Sequence, residues 1–134
     1  MLTGSSGNDI LSAGAGNDRL QGGFGADDLM GGAGSDTFLF KATTESTVSI
    51  TGRDTIYDFV SGDRLSSPSS TELRRLLAFR FIGTDAFHKK AGELRYDKKT
   101  SDTYVYGDVN GDGKADFAIH LDGAIALSKG YFVL

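Results

Sequence analysis

The chain has 134 residues, enough for one compact unit or two small ones that share an interface, and too few for a separate large catalytic domain. Only 39% of residues are apolar, nineteen are glycine and one is proline, so the hydrophobic core must be thin; bound metal is the usual substitute when apolar burial is scarce. The net charge of −4 falls entirely in residues 1–40, where Asp9, Asp18, Asp27, Asp28 and Asp36 face the single base Arg19, and such a segment repels itself unless cations are bound.

Fifteen of the eighteen acids are Asp, the short carboxylate that suits turns and cation-binding loops. The absence of Cys excludes disulfides and thiolate metal sites. No basic segment followed by an apolar run opens the sequence, so no cleavable signal peptide is expected. No apolar stretch approaches the roughly 18–20 residues that cross a bilayer.

From Gly4 the chain repeats every nine residues: GSSGNDILS, AGAGNDRLQ, GGFGADDLM and GGAGSDTFL follow without a gap. Position four is Gly7, Gly16, Gly25 or Gly34, position six is Asp9, Asp18, Asp27 or Asp36, and position eight is Leu11, Leu20, Leu29 or Phe38. A flexible glycine-rich linker has no reason to hold Asp and one apolar residue in phase. Over residues 4–39 the pattern resembles the G-G-x-G-x-D-x-U-x repeat of the RTX (repeats-in-toxin) family, a calcium-binding parallel β-roll. In such a roll positions seven to nine form a short strand with only the middle side chain inward, and positions one to six turn the chain. Two repeats complete a coil, so loops eighteen residues apart stack.

The resemblance implies that calcium, which takes six to eight oxygens, sits between stacked loops. One site would use Ser5, Gly7 and Asp9 with Gly22, Phe24 and Asp27. The next would use Gly14, Gly16 and Asp18 with Gly31, Ala33 and Asp36. Continuing in nines gives FKATTESTV, SITGRDTIY and DFVSGDRLS, with Glu45, Asp54 and Asp63 at position six and Thr47, Ile56 and Leu65 at position eight. The roll is therefore expected to run to about Ser66, with a further site from Gly32, Gly34 and Asp36 with Ser49, Thr51 and Asp54. Gly23, Gly25 and Asp27 would face the loop of Glu45, which has a longer carboxylate and no glycine.

Residues 67–78 combine Ser and Thr with a Glu-Leu-Arg-Arg-Leu-Leu run, which predicts an N-capped short helix. Strands are predicted over 79–82, 93–96, 103–106, 116–121 and 131–134, an antiparallel set with one buried face that caps the roll. Between two of them DVNGDGKAD places Asp108, Asn110, Asp112, Gly113 and Asp116 at positions one, three, five, six and nine of an EF-hand-like loop, with the Lys114 carbonyl at seven. Ile119 stands at position twelve, and the flanks are strands, so the expectation is a calcium-stabilised hairpin.

Together with the RTX block, Gly83 to Phe87, Ala91 to Tyr96, Gly107 to Phe117 and the Tyr131 to Leu134 end resemble the C-terminal region of serralysin-type secreted metalloproteases. The resemblance implies an uncleaved C-terminal signal read by a type I secretion system; Phe132, Val133 and Leu134 supply its hydrophobic trio, with Tyr131 where an acid commonly stands. The protease chemistry does not transfer, because the sequence has no H-E-x-x-H and only His88 and His120. His120 is expected to face solvent and His88 to lie in a loop.

The sequence thus predicts an all-β module, a calcium-bound parallel β-roll over 1–66 and a C-terminal antiparallel cap with one short helix over 67–134. Non-catalytic itself, it would bind several Ca2+ ions and assist folding and type I secretion of an N-terminal passenger domain to the extracellular space, with no nucleic acid partner and no membrane span. A rival reading takes the eight bases of residues 74–99 (Arg74, Arg75, Arg80, Lys89, Lys90, Arg95, Lys98, Lys99) as an anionic-polysaccharide surface, like the repeat modules of alginate epimerases.

Overall fold

Each repeat contributes one three-residue strand whose middle side chain is the only large apolar group it can bury, and the fold stacks those strands alternately on two faces. The computed structural model of the protein describes residues 1–66 and 79–133. Strands β1 (Leu2–Thr3), β3 (Arg19–Gln21) and β5 (Thr37–Leu39) run parallel on one face, with Leu2 opposite Leu20 and Leu20 opposite Phe38. Strands β2 (Ile10–Ser12) and β4 (Asp28–Met30) do the same on the other, with Leu11 opposite Leu29. Leu20, Leu29 and Phe38 are 0% exposed. Leu11 and Leu2 are only partly buried because they belong to the first coil, which is covered from one side. Burying each such Leu or Phe stabilises the fold by roughly 1.5–3 kcal/mol, so the roll core is small in energy as well as in width.

The nine-residue phase continues past residue 39, with one correction to the expected register. β6 (Thr55–Ile56) and β7 (Arg64–Ser66) carry Ile56 and Leu65 at position eight, both buried. Residues 40–48 form no strand. The chain loops out there and returns one repeat later, so β6 lies on β4 with Leu29 opposite Ile56, and β7 on β5 with Phe38 opposite Leu65. The offset between stacked strands is 27 residues at this coil and not eighteen. The physical reason lies in the segment itself: it has no glycine to make the tight turn, and its inward position holds the polar Thr47. Its Phe40 finds burial elsewhere in the core, and a 3-10 turn at Ile50–Gly52, capped by the Ser49 hydroxyl, brings the chain back.

The C-terminal half extends both sheets of the roll. β9 (Glu93–Lys98), β10 (Thr103–Asp108) and β11 (Phe117–Leu121) form the expected antiparallel set, but β8 (Arg80–Phe81) pairs parallel to β9. β11 adds parallel to β6, and β12 (Phe132–Val133) adds parallel to β7. The sheet orders are therefore β1-β3-β5-β7-β12 and β2-β4-β6-β11-β10-β9-β8. This arrangement caps the roll by pairing its last backbone edges with strands of the same chain. Phe117, Ile119 and Leu121 are buried as their alternation predicts, against Leu94 and Val105. Aromatic contacts seal the joint, with Phe59 between Phe38 and Tyr131 and Phe132 against Phe81, ring centroids 5.0 Å apart. The predicted helix over 67–78 lies outside the described residues. No helix among the described residues is long and apolar enough to cross a membrane.

The looped-out register predicts opposite outcomes at two residues that share position eight. Ile56→Ala should cost about 2–5 kcal/mol, because it empties a fully buried site between β4 and β11. Thr47→Ala should cost less than about 1 kcal/mol, since only a partly exposed hydroxyl contact is lost. Denaturant unfolding in saturating calcium checks both; equal losses would contradict the register.

Candidate metal centre

Position six of each repeat ends the loop and begins the strand, so its carboxylates stack in two ladders along the edges of the roll. On one edge the Asp9 N–H donates to Asp27 Oδ1 at 2.8 Å, and the Asp27 N–H to Asp54 Oδ1 at 3.1 Å. On the other the Asp18 N–H donates to Asp36 Oδ1 at 2.8 Å, and the Asp36 N–H to Asp63 Oδ1 at 2.9 Å. Position five adds a parallel ladder, in which Asn8 Oδ1 accepts from Ala26 N–H and Asn17 Oδ1 from Ser35 N–H.

One carboxylate oxygen of each inner rung has no such partner. Asp27 Oδ2, Asp36 Oδ2 and Asp54 Oδ2 are buried and accept no hydrogen bond. Nor is there a base beside them: among the described residues the ion pairs are His88 with Glu93, Lys99 with Asp97 and His120 with Asp102. Burial accordingly pushes the Asp27 carboxyl above its ordinary range and that of Asp54 up to about 8. Buried charge of one sign, unpaired and short of hydrogen bonds, is costly unless a cation joins it.

The loops are shaped to keep that space open. A Cβ at Gly31 would lie 2.3 Å from Asp36 Oδ2, so only glycine lets the carboxylate fold back over its own loop. At Gly32, with φ +93°, a Cβ would lie 1.8 Å from the Gly14 carbonyl oxygen of the loop below. The structure brings together both of the expected perfect-repeat pairs. Ser5 O accepts from Phe24 N–H and Phe24 O from Gly7 N–H, while Gly14 O accepts from Ala33 N–H and Ala33 O from Gly16 N–H. Each of these carbonyls retains a second lone pair. Among the described residues no three carboxylate or imidazole groups converge tightly enough to enclose a metal by themselves. An ion in the roll would therefore draw most of its oxygens from backbone carbonyls, which suits calcium's preference for many hard oxygen ligands. Asp9, Asp27, Asp18 and Asp36 would supply the charge.

The third expected set is not brought together. Gly32, Gly34 and Asp36 face residues 58–63, whereas Ser49 and Thr51 lie in an exposed turn with their hydroxyls 3.0 Å apart and Asp54 joins Asp27. The loop that does stack there is closed by Asp58, whose two oxygens accept the Gly31 and Gly32 N–H groups at 2.9 and 2.7 Å. Sequence reasoning missed Asp58; the available signal was an Asp at position one, where the perfect repeats carry Gly or Ala.

The EF-hand-like segment joins β10 to β11 and is drawn tight by its own side chains. Both oxygens of the buried Asp108 accept loop N–H groups, from Gly111 at 2.6 Å and Gly113 at 2.8 Å. Asp116 Oδ2 accepts from Val109 N–H, Asn110 Oδ1 from Asp112 N–H, and Asp112 Oδ1 from Lys114 N–H. The flanks are strands, as expected.

His120 departs from its expected solvent exposure. Nε2 lies 2.8 Å from Asp102 Oδ1 and Nδ1 3.2 Å from Thr55 Oγ1, and the ring stacks on Tyr104. His120, Thr55 and Tyr104 border an open cleft of about 440 Å³ whose lining also includes Asp9, Asp28 and Arg53. His88, in its predicted loop, holds the buried Glu93 through Nδ1 at 2.9 Å and its backbone N–H at 2.7 Å.

Burial of the ladder predicts a pH dependence with opposite signs for the two forms. In the metal-free chain the raised carboxyl of Asp54 favours the folded state fully below its unfolded value of 3.8, and this contribution is lost as pH rises through about 8. Calcium requires the ionised form. In chelator, the β signal in circular dichroism should therefore grow as pH falls from 8.5 to 5.5, while the calcium midpoint for folding rises; Asp54→Asn should flatten both trends. A midpoint constant across that interval would contradict the assignment.

Comparison with known proteins agrees with this geometry. No curated protein matches the chain by sequence. Solved structures that share the fold include the solution structure of the AlgE6R2 subunit of the Azotobacter vinelandii mannuronan C5-epimerase, with a TM-score of 0.61 at 26% identity, covering 99% of this chain and 91% of that one. The AlgE6R3 subunit from the same organism has a TM-score of 0.60 at 26% identity, covering 98% and 78%. The family model described as Peptidase M10 serralysin C terminal matches residues 2–133. With a β-roll of glycine loops and aspartate ladders completed by its own C-terminal strands, the chain belongs to the serralysin C-terminal family.

Proposed function

We propose that this module is the calcium-triggered folding and export unit of a longer secreted protein. The observation that carries the reading is the aspartate ladder itself: three buried carboxylate oxygens without a donor, in stacked glycine loops, outside every ion pair among the described residues. In low calcium these charges repel, and the thin apolar core is too weak to hold the roll, so the chain stays extended enough to thread a channel. Outside the cell, calcium in the range of about 10⁻⁴–10⁻³ M, typical of extracellular sites, would neutralise the loops and fold the roll. Family membership supports a non-catalytic role in a larger protein, and the passenger would be joined N-terminally.

The export signal assigned to Phe132, Val133 and Leu134 is supported by an accessory argument. Phe132 ends up buried and paired to Leu65 in the folded module, so an exporter could read it only before the roll closes. Calcium-dependent folding would then time both events. Removing residues 131–134 from a passenger fusion should reduce type I export at least tenfold, and export at the unaltered rate would remove the signal assignment.

A second reading is favoured by the outer face of the cap. Tyr104 and Tyr106 stack on it, Arg53 lies over Tyr104, and Arg95 lies over Tyr106 and Phe87. Such an aromatic and cationic strip suits an anionic polysaccharide, and the structural neighbours belong to an enzyme named for mannuronan. Arg74 and Arg75, part of the basic set expected from sequence, lie outside the described residues. Retention on immobilised alginate at moderate salt, abolished by the double change Arg53→Ala and Arg95→Ala, is the expected result; flow-through of the unaltered chain would discard this reading.

A further inference from the structure

The outer face of the larger sheet carries one continuous row of side chains from the roll into the cap. Ile10 stands opposite Asp28, Asp28 opposite Thr55, Thr55 opposite His120, and His120 opposite Tyr104. Side chains alternate between the two faces of a strand, and Leu11, Leu29, Ile56, Ile119 and Val105 take the inward places, which leaves these five outside. Strands in a sheet lie about 4.8 Å apart, so the row from β2 to β10 runs roughly 19 Å across the strands. All five residues line the cleft of about 440 Å³, and two apolar side chains, Ile10 at 73% exposed and Ile50 at 81%, form its margin.

The polar groups of the cleft are fixed by their neighbours and keep hydrogen-bonding capacity to spare. Arg53 donates to the Val48 carbonyl through Nη2 and lies over the Tyr104 ring at 5.4 Å, yet its Nε is buried with no acceptor. Its guanidinium belongs to none of the ion pairs among the described residues. His120 donates its Nε2–H to the Asp102 carboxylate, which only accepts; Nδ1 of the neutral ring is then an acceptor, and the Thr55 hydroxyl donates to it at 3.2 Å. The lone pairs of Thr55 Oγ1 remain for a ligand. Asp28 is likewise outside every ion pair among the described residues, whereas the Asp9 carboxylate is taken up by its own loop, Oδ2 accepting the Ser5 N–H at 2.8 Å.

We propose that this cleft is the subsite for a sugar ring that bears a carboxylate, a hexuronate within a polysaccharide chain laid across the strands. The assignment rests on the polysaccharide reading of the outer face and deepens it by naming the ring chemistry and the residues that recognise it. The planar fork of Arg53 pairs with the ring carboxylate, Thr55 and Asp28 accept from ring hydroxyls, and Ile10 and Ile50 cover its C–H edges. One base and one acid outside ion pairs fit a ligand with a single anionic group per ring and several hydroxyl donors. A nucleic acid, whose charge is dense along its length, finds no second base among the cleft-lining residues and meets Asp28. A purely aliphatic ligand would strip water from Arg53, Asp28 and Thr55 without replacing its hydrogen bonds. The row is longer than one ring, so further rings continue toward Tyr106 and Arg95, which lies over the Tyr106 ring at 5.8 Å.

The test is titration calorimetry of the calcium-saturated chain with a hexuronate tetramer and with the same tetramer after reduction of its carboxylates to alcohols. Circular dichroism confirms that each variant is folded. The unaltered chain should bind the acidic tetramer about tenfold or more tighter than the neutral one. Arg53→Gln should lose about tenfold or more on the acidic tetramer and little on the neutral one. Arg53→Lys keeps the charge and loses the fork; it should lose several-fold, and it serves where Arg53→Gln fails to fold. Thr55→Val should weaken both tetramers about fivefold. Equal binding of the two tetramers by the unaltered chain overturns the carboxylate assignment. If Arg95→Ala weakens the acidic tetramer while the Arg53 and Thr55 variants bind as the unaltered chain does, the cleft is overturned and the outer strip remains the polysaccharide surface. If the unaltered chain binds neither tetramer, both readings fall.

Discussion

The fold depends on what becomes of carboxylates that its topology buries outside every ion pair of the described residues. Stacking identical loops places like charges one coil apart, and the ladder of N–H donors satisfies only the Oδ1 atom of each inner aspartate. Asp27, Asp36 and Asp54 are almost wholly shielded from water, so the remaining oxygen of each demands a cation or a proton. A hydrophobic core of ordinary size could tolerate such a burden. This one, one inward side chain per short strand, has little to spare.

That imbalance is what turns a repeat into a switch. The same glycines that leave room for carboxylates and carbonyls raise the entropy of the unfolded chain, so the unliganded state loses on both counts. Metal binding free energy in such a module is folding free energy. Glycine, aspartate and the single apolar position then form one device, and changing any of them moves the calcium concentration at which the roll closes.

The cap does more than cover an open end. β11 and β12 continue the two roll sheets through Ile56 and Leu65, so the C-terminal strands are assembled on surfaces that exist only when the last coil has formed. The looped-out residues 40–48 make this possible: they leave the roll, bury Phe40 and Glu45, and pin Ser46 to β11. Roll and cap are consequently joined by shared strands as well as by packed aromatic rings.

The nine-residue phase was legible in the sequence because each position has one physical duty, glycine to turn, aspartate to charge the loop, and leucine or phenylalanine to face inward. It located every roll strand from β2 to β7 and the stacked loops of the perfect repeats, while strand alternation with period two located the buried Phe117, Ile119 and Leu121. Strand β1 was passed over, although Leu2 stands nine residues before Leu11. The phase could not reveal which loop rests on which once a repeat is skipped, because a segment can keep the period in sequence while leaving the coil in space. Only the tertiary structure paired Asp27 with Asp54 and Asp36 with Asp63, recruited Asp58 to Gly31 and Gly32, and set Gln21 against Glu45. Those partners lie 24 to 27 residues apart, and their meeting depends on the path of an irregular loop, which local residue chemistry does not specify.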